Sequence, residues 1–473
     1  MRSLRMGALA LTTLLLAACA TPAGDASTQM DVPAQFKEQA LWQTVQPTAA
    51  PPAPDAWWTL FGDATLDALE TQVAVGNANL QASVAQMRVA QASLAAAEAG
   101  RWPTLGAGLS ASRSRAQVGT GSRSVAAVDN SVALSASASW EVDLWGRLSQ
   151  LASSAQARYD ASRADLAAAT LSTQATLAQT YFALRTAEAQ LALFDRTVQG
   201  YERSLQVTRN RYAAGVVSAA DVAQAQSQLQ SAQAAQLEAA TQRAQLEHAI
   251  AVLLGRPPAS FTLAPGALPE RTPGVPALLP AALLQRRPDI AAAQWRVAAA
   301  NANIGAARAA YFPTLTLAAS GGYRGTSLSD LVSAPNLFWS LGPAVALTLF
   351  DGGGRRAATD QAVAQADLAA ATYRQTVLTA LQEVEDNLVA AANLRREGQI
   401  QTEAVASARR AQQIVENQYK AGTVAYQNVV SAQITTFTAE RTLLDARNRE
   451  LAAVNQLLKN IAGRWDAAPA AAK

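Results

Sequence analysis

One imidazole, His248, and one thiol, Cys19, stand alone among 473 residues. That pairing removes disulfide frameworks and Cys/His metal cages from consideration. His248 lies among Leu246, Ile250 and Leu253 at helical spacing, with no Ser or Cys motif around it, so it reads as a helix residue rather than a general base. The four lysines, Lys37, Lys420, Lys459 and Lys473, each follow a residue other than Gly, which removes a phosphate-binding loop of the Gly-Lys type. Asp351-Gly352-Gly353-Gly354-Arg355 has the composition of an anion-binding loop at a helix start. Its counterpart Leu144-Trp145-Gly146-Arg147 has a single Gly, which favours a turn from strand to helix. These residues assemble no catalytic constellation, so the chain reads as no enzyme, with no metal and no cofactor. Lys and Arg number 38 against 35 Asp and Glu, a net charge of +3 that is too even for a nucleic-acid surface. Charged residues make up 15%, well below the usual quarter, and aromatics 6%.

Cys19 has a context of its own. Arg2 and Arg5 precede an apolar stretch from Gly7 to Ala18, too short to cross a bilayer as a helix and patterned as a secretory signal. Leu16-Ala17-Ala18-Cys19 resembles the bacterial lipoprotein signal, which implies that Cys19 is acylated and becomes the mature N-terminus. Ala20 follows it, where Asp would imply retention at the inner membrane, so the outer membrane is the implied address. Residues 1–18 are then signal peptide, and 19–56, rich in Pro, Ala and Thr, a lipid-anchored tether without a core of its own.

The remaining chain is one unit used twice. Arg101-Trp102-Pro103-Thr104-Leu105 returns 210 residues later as Tyr311-Phe312-Pro313-Thr314-Leu315. Arg211-Tyr212-Ala213-Ala214-Gly215 returns after 207 residues as Gln418-Tyr419-Lys420-Ala421-Gly422. Leu80, Met87 and Leu94 match Ile290, Val297 and Ile304 at an offset of 210, and Leu246, Ile250 and Leu253 match Val454, Leu458 and Ile461 at 208. Repeat 1 spans 57–265, a Pro-rich connection 266–287, repeat 2 288–465, and a tail 466–473.

Within a repeat the hydrophobic period changes in a fixed order. Leu66, Val73, Leu80, Met87 and Leu94 recur every seven residues, a helix-packing seam that Pro103 ends. Strict alternation follows: Leu105, Ala107, Leu109 and Ala111, then Val132, Leu134, Ala136, Ala138, Trp140, Val142 and Leu144, with small or polar residues between them. Period two predicts strands at about 104–114 and 131–145, each with one apolar face. After Gly146 a helix from Arg147 to Tyr212 follows, 66 residues or about 100 Å long. Gly215 breaks it, and a return helix runs from about Ser218 to Leu254. The second copy predicts a helix to Ala310, strands at about 314–324 and 340–351, a long helix, Gly422 and a return helix to Ala462.

The strands have the length of tilted membrane strands. Trp102, Trp140, Trp145, Tyr311, Phe312, Tyr323, Phe338, Trp339 and Phe350 lie in or beside them, as an interfacial aromatic belt would. The mature chain has no apolar run of eighteen, which leaves a closed β-barrel as its only spanning structure. A soluble sandwich edge would show the same alternation. Four strands close no barrel; two chains give eight strands with a filled interior, and three give twelve with a passage. A homotrimer fits best.

Arg286-Arg287-Pro288-Asp289-Ile290, followed by Ala299-Ala300-Asn301-Ala302-Asn303-Ile304-Gly305 and Phe312-Pro313, resembles the signature of TolC-like outer-membrane efflux factors. Trp57-Trp58-Thr59-Leu60-Phe61, Trp140-Glu141-Val142-Asp143-Leu144-Trp145-Gly146-Arg147 and Leu253-Leu254-Gly255-Arg256-Pro257-Pro258 are similar to the lipoprotein (OprM/NodT-like) branch of that family. The resemblance implies a mixed α/β membrane protein, a trimer in which each chain gives four strands to a shared 12-stranded outer-membrane barrel and long helices to a periplasmic tunnel. It implies a passive conduit for drugs or toxic small molecules, with a periplasmic adaptor, an inner-membrane efflux pump and outer-membrane lipid as partners. The turns at Gly215 and Gly422 would be the periplasmic tips that meet the adaptor, through Arg211, Tyr212, Gly215, Val216 and Ser218 and through Tyr419, Gly422 and Thr423. Plain seam packing is the alternative for Tyr212 and Tyr419. The constriction would hold Asp221 in one copy but Asn428, with Ser431 one turn on, in the other, so a weaker cation preference than in acidic-tipped relatives is expected. A conduit for secreted polypeptide and a lipid-anchored periplasmic scaffold are the alternative functions.

Overall fold

The computed structural model describes residues 27–28, 30–45, 56–118, 125–269, 272–275 and 286–461. The signal stretch, Cys19, the tail and part of the Pro-rich connection lie outside the described residues. Two compact units emerge, one holding Gln86–Ser162 and Ala292–Arg374, the other Met30–Ala85, Arg163–Ala291 and the described residues from Gln375 on.

The first unit carries the strands. β1 (Thr104–Val118), β2 (Val125–Val142), β3 (Thr314–Gly325) and β4 (Leu337–Ala346) form one antiparallel sheet in the order β1-β2-β3-β4. The register puts Leu105, Ala107 and Leu109 opposite Ala138, Ala136 and Leu134, and Trp140 and Ala138 opposite Leu317 and Ala319. Ala319 and Gly321 face Leu341 and Trp339 in turn. Since side chains alternate strictly, these rows form one apolar band across all four strands, and the opposite face is mostly Ser, Gly, Ala and Thr. Leu105, Leu109, Trp339, Leu341 and Val345 are exposed on the apolar face. Strands β1 and β2 run longer than the alternation predicts, and Arg113 and Arg115 continue the β1 row past the apolar band. β4 leaves its ladder at Ala346 rather than about 351, because its partner β3 begins at Thr314, opposite Ala346 and just after Pro313. Asp351 belongs to the next helix, its carboxylate accepting from Gly353 N at 3.0 Å and Arg355 N at 3.1 Å. Asp143 does the same after β2, accepting from Leu148 N at 3.0 Å and Ser149 N at 2.8 Å. The Gly-rich run is therefore a helix cap that supplies its own anion.

The helices are α1 (Gln39–Val45), α2 (Ala64–Gly76), α3 (Ala78–Ala99), α4 (Arg147–Ala213), α5 (Ala219–Leu253), α6 (Pro288–Ala309), α7 (Gly354–Lys420) and α8 (Tyr426–Ile461). The seam from Leu66 to Leu94 predicts one helix; the structure has two. Asn77 breaks it with extended backbone, accepting from Asn79 N and Leu80 N and donating to Leu253 O at 2.7 Å. At the same crossing a Cβ on Gly76 would lie 2.3 Å from Leu254 O, and one on Gly255 2.0 Å from Gly76 O, so two backbones touch where only Gly fits. The core of the helical unit gathers Trp57, Leu66, Val73, Leu177, Phe182, Ile250, Val384, Val454 and Leu458. Tyr181 donates to Asp63 Oδ2 at 2.5 Å, while Asp63 Oδ1 caps α2 through Thr65 N and Leu66 N.

The stretch 19–56 predicts a tether, but its described part is docked. Phe36 and Trp42 are buried in the same core. Glu385 accepts from Lys37 N at 2.7 Å and Glu38 N at 2.9 Å, giving the start of α1 a carboxylate from 347 residues away. The Arg395 guanidinium covers the Trp42 ring, 4.9 Å from its centroid.

Candidate functional site

Both long helices end in the same backbone device. At the end of α4, Gly215 N donates to Tyr212 O and Val216 N to Arg211 O, both at 2.9 Å. At the end of α7, Gly422 N donates to Tyr419 O and Thr423 N to Gln418 O, both at 3.0 Å. This is the Schellman pattern, which needs a left-handed residue; Gly215 has φ +72° and Gly422 φ +80°. Arg211 and Lys420 occupy the last turns, where a cation meets the negative end of the helix. The return helices begin differently. Ser218 and Asp221 form a reciprocal capping box on α5, with Asp221 Oδ2 accepting from Ser218 N at 2.9 Å and Ser218 Oγ at 2.8 Å. Ala425 stands at the matching place before α8, so that box is absent there.

The structure brings the two tips together through Arg211. Its Nη1 donates to Tyr419 O at 2.6 Å, and its guanidinium lies 4.5 Å from the centroid of the Tyr419 ring. Tyr419 is only 5% exposed and packs against Tyr426, ring centroids 5.5 Å apart. Tyr419 thus packs in the seam between the two turns, its ring held between Tyr426 and the Arg211 guanidinium. Tyr212, its repeat partner, is 51% exposed, and Val216, Ser218 and Thr423 are exposed beside it. Beneath the turns Val198, Tyr201, Leu205, Leu229, Val429 and Val430 make a small core of their own. The Tyr426 hydroxyl pairs with Ser204 Oγ at 3.2 Å, and Tyr201 OH accepts from Gln228 Nε2 at 3.2 Å. Burial holds both phenols above their usual range. Tyr201 stands three residues after Val198 and four before Leu205, an apolar helical spacing visible in the sequence, whereas Tyr426, Ser204 and Gln228 carry no sequence signal beyond their nearness to the turns.

Of the predicted constriction residues, Asp221 is half-buried and spends its carboxylate on the cap, while Asn428 and Ser431 are exposed on the first turns of α8. A cleft of about 680 Å³ opens beside Tyr419 and Lys420, lined by Arg196, Arg203, Arg409 and Glu440 among others. Arg409 and Glu440 pair directly across it.

The Arg287 motif serves position rather than chemistry. Arg287 is buried and donates to both carboxylate oxygens of Asp289, to Glu383 Oε2 and to Asn460 Oδ1, the last two at 2.9 Å. Burial alone would raise the Asp289 carboxyl, but Arg287 holds it below the usual range.

Residues 70–256 and again 279–463 match the model of a family described as outer membrane efflux protein. The chain is 31% identical over 414 residues to the outer membrane protein OprJ of Pseudomonas aeruginosa, covering 87% of this chain and 86% of the relative. It is 31% identical over 423 residues to the toluene efflux pump outer membrane protein TtgI of Pseudomonas putida, covering 88% of each. Among solved structures, the outer-membrane channel OprN superposes with a TM-score of 0.88 at 28% identity, covering 94% of this chain and 100% of that one.

Proposed function

This chain belongs to the outer membrane efflux protein family, and we propose that it is the outer-membrane channel of a tripartite efflux system, a passive trimeric conduit for drugs or toxic small molecules. The observation that carries this reading is a four-stranded sheet whose two edges have no strand partner among the described residues, with an apolar band across one face. Unpaired edges are costly in lipid, so closure needs strands from other copies. Three chains give twelve strands around a passage lined by the Ser and Gly face, continued into the periplasm by the long helices.

The adaptor meets the exposed tip residues Tyr212, Val216, Ser218 and Thr423, which the Gly215 and Gly422 turns present and Arg211 holds in register. The inner-membrane pump supplies energy and chooses cargo, and the conduit itself performs no chemistry. Cys19 carries a covalent lipid that adds a second hold on the outer membrane. Toluene is named for one relative, which supports small apolar compounds over secreted polypeptide. The match of the family model to both halves supports a channel over a periplasmic scaffold.

The test is the native mass and conductance of protein extracted from membranes in mild detergent. Three chains per particle, resistant to salt and conducting in planar bilayers, is the expected result. A monomer released without detergent would overturn the proposal.

A further inference from the structure

Inside one chain the two repeats meet at an aromatic joint. Trp145, just after β2, stacks on Phe312, just before β3, with centroids 4.8 Å apart and planes 19° from parallel. Trp145 Nε1 also donates to Pro313 O at 2.6 Å. The joint follows from the β2–β3 register: the last pair is Val142 with Leu315, and Trp145 and Phe312 each lie three residues beyond it.

The repeat supplies the same two positions once more, in exchanged roles. Phe350, after β4, is the counterpart of Trp145 by its place in Leu349-Phe350 before the Gly turn. Trp102, before β1, is the counterpart of Phe312 by its place in Trp102-Pro103-Thr104-Leu105. Within the chain neither ring has a stacking partner among the described residues: Trp102 is 72% exposed and Phe350 89%. The strands that carry them, β1 and β4, are the two open edges of the sheet.

We infer that Phe350 of one subunit stacks on Trp102 of the next, closing between chains the joint that Trp145 and Phe312 close within one. The inference rests on the trimeric reading and specifies its register. Carrying the β2–β3 spacing over to β4 and the neighbour's β1 sets Val345 against Ala107, Pro343 against Leu109 and Leu341 against Ala111. All six belong to the apolar face, and Ala344 and Gly342 meet Gly108 and Ser110 on the other. A slip of one residue would set apolar against polar along the whole edge, so the match of faces is an independent check on the alignment of the rings. The Phe350 ring carries no N–H, so the hydrogen bond from the Trp145 indole to Pro313 O has no counterpart at Pro103, and the joint between chains is held by stacking alone.

The experiment is site-directed cross-linking in the full-length trimer. Trp102→Cys with Phe350→Cys, treated with a short bis-maleimide, should run as covalently joined chains on a denaturing gel. Each single variant should run as one chain, and co-expressed single variants should give dimers and nothing larger. Trp145→Cys with Phe312→Cys should link only within a chain. A native mass of three chains with no link between positions 102 and 350, while the control pair at 145 and 312 links, would overturn this inference alone. A native mass of one chain would overturn it together with the trimeric reading. Alanine variants give a second readout. Trp102→Ala and Phe350→Ala should each lower the temperature at which trimers dissociate, and the double variant should lose little more than either. Strictly additive losses would mean two independent lipid-facing rings and would refute the joint.

Discussion

Glu70 stands on α2 in line with Leu66 and Val73, has 0% exposure, and neither carboxylate oxygen has a hydrogen-bond partner among the described residues. Burial, reinforced by the charge of Asp67, pushes its carboxyl from 4.5 to about 9. The native protein therefore keeps a proton that the unfolded chain releases above pH 4.5. Stability from this group is fully present below that value and is lost as pH rises toward 9, at about 1.4 kcal/mol per pH unit. The loss amounts to about 3 kcal/mol at pH 7 and under about 1 kcal/mol at pH 5. Glu70→Gln keeps the shape of the protonated acid and removes the titration. At about 2–4 °C per kcal/mol, its melting temperature should exceed that of the wild type by about 2 °C at pH 5 and by about 10 °C at pH 7. Thermal unfolding followed by circular dichroism in detergent between pH 5 and pH 8 measures this directly. Parallel curves over that range would refute the reasoning, because they would require Glu70 to be charged in the native state.

Gly215→Val or Gly422→Val places a β-branched residue at φ +72° or +80° and should cost about 2 kcal/mol locally, seen as amide exchange at least about tenfold faster at that tip with the strands unaffected. Arg287→Ala leaves Asp289, Glu383 and Asn460 without their shared donor and should destabilise by about 3 kcal/mol, read as a lower denaturant midpoint; an unchanged midpoint would mean the network carries no net stability. Because Asp221 is held by Ser218 and Asn428 is neutral, reversal potentials across a salt gradient should show weak cation preference, and a strongly cation-selective pore would contradict that.

The parts of the fold legible in the sequence are those where one local period decides. The strands alternate along the whole apolar band, since a membrane sheet must present one face to lipid across its thickness. The tips show because a Schellman turn admits Gly almost alone. A signal for Glu70 is present as well: it sits four residues after Leu66 and three before Val73, on the buried stripe of α2. What could not be read depends on partners far along the chain. The break at Asn77 exists because Leu253 O accepts its side chain, while the seam from Val73 to Leu80 runs on with its spacing intact. The docking of Phe36 and Trp42 depends on Glu385 and Arg395, about 350 residues away.

Tyr212 and Tyr419 show most plainly why repetition in sequence does not guarantee repetition in role. Both precede a turn glycine by the same spacing, and their backbones make the same hydrogen bonds. What separates them is the residue before each: Arg211 in one copy, Gln418 in the other. A guanidinium is long enough to reach across to the second turn and charged enough to bind both the Tyr419 carbonyl and the face of its ring. A glutamine at that place offers a neutral amide and no cation for a ring, so nothing equivalent draws Tyr212 inward, and it remains half exposed. Duplicated backbones thus supply two equal turns, and one change of side chain divides them into a fastened turn and a presented one.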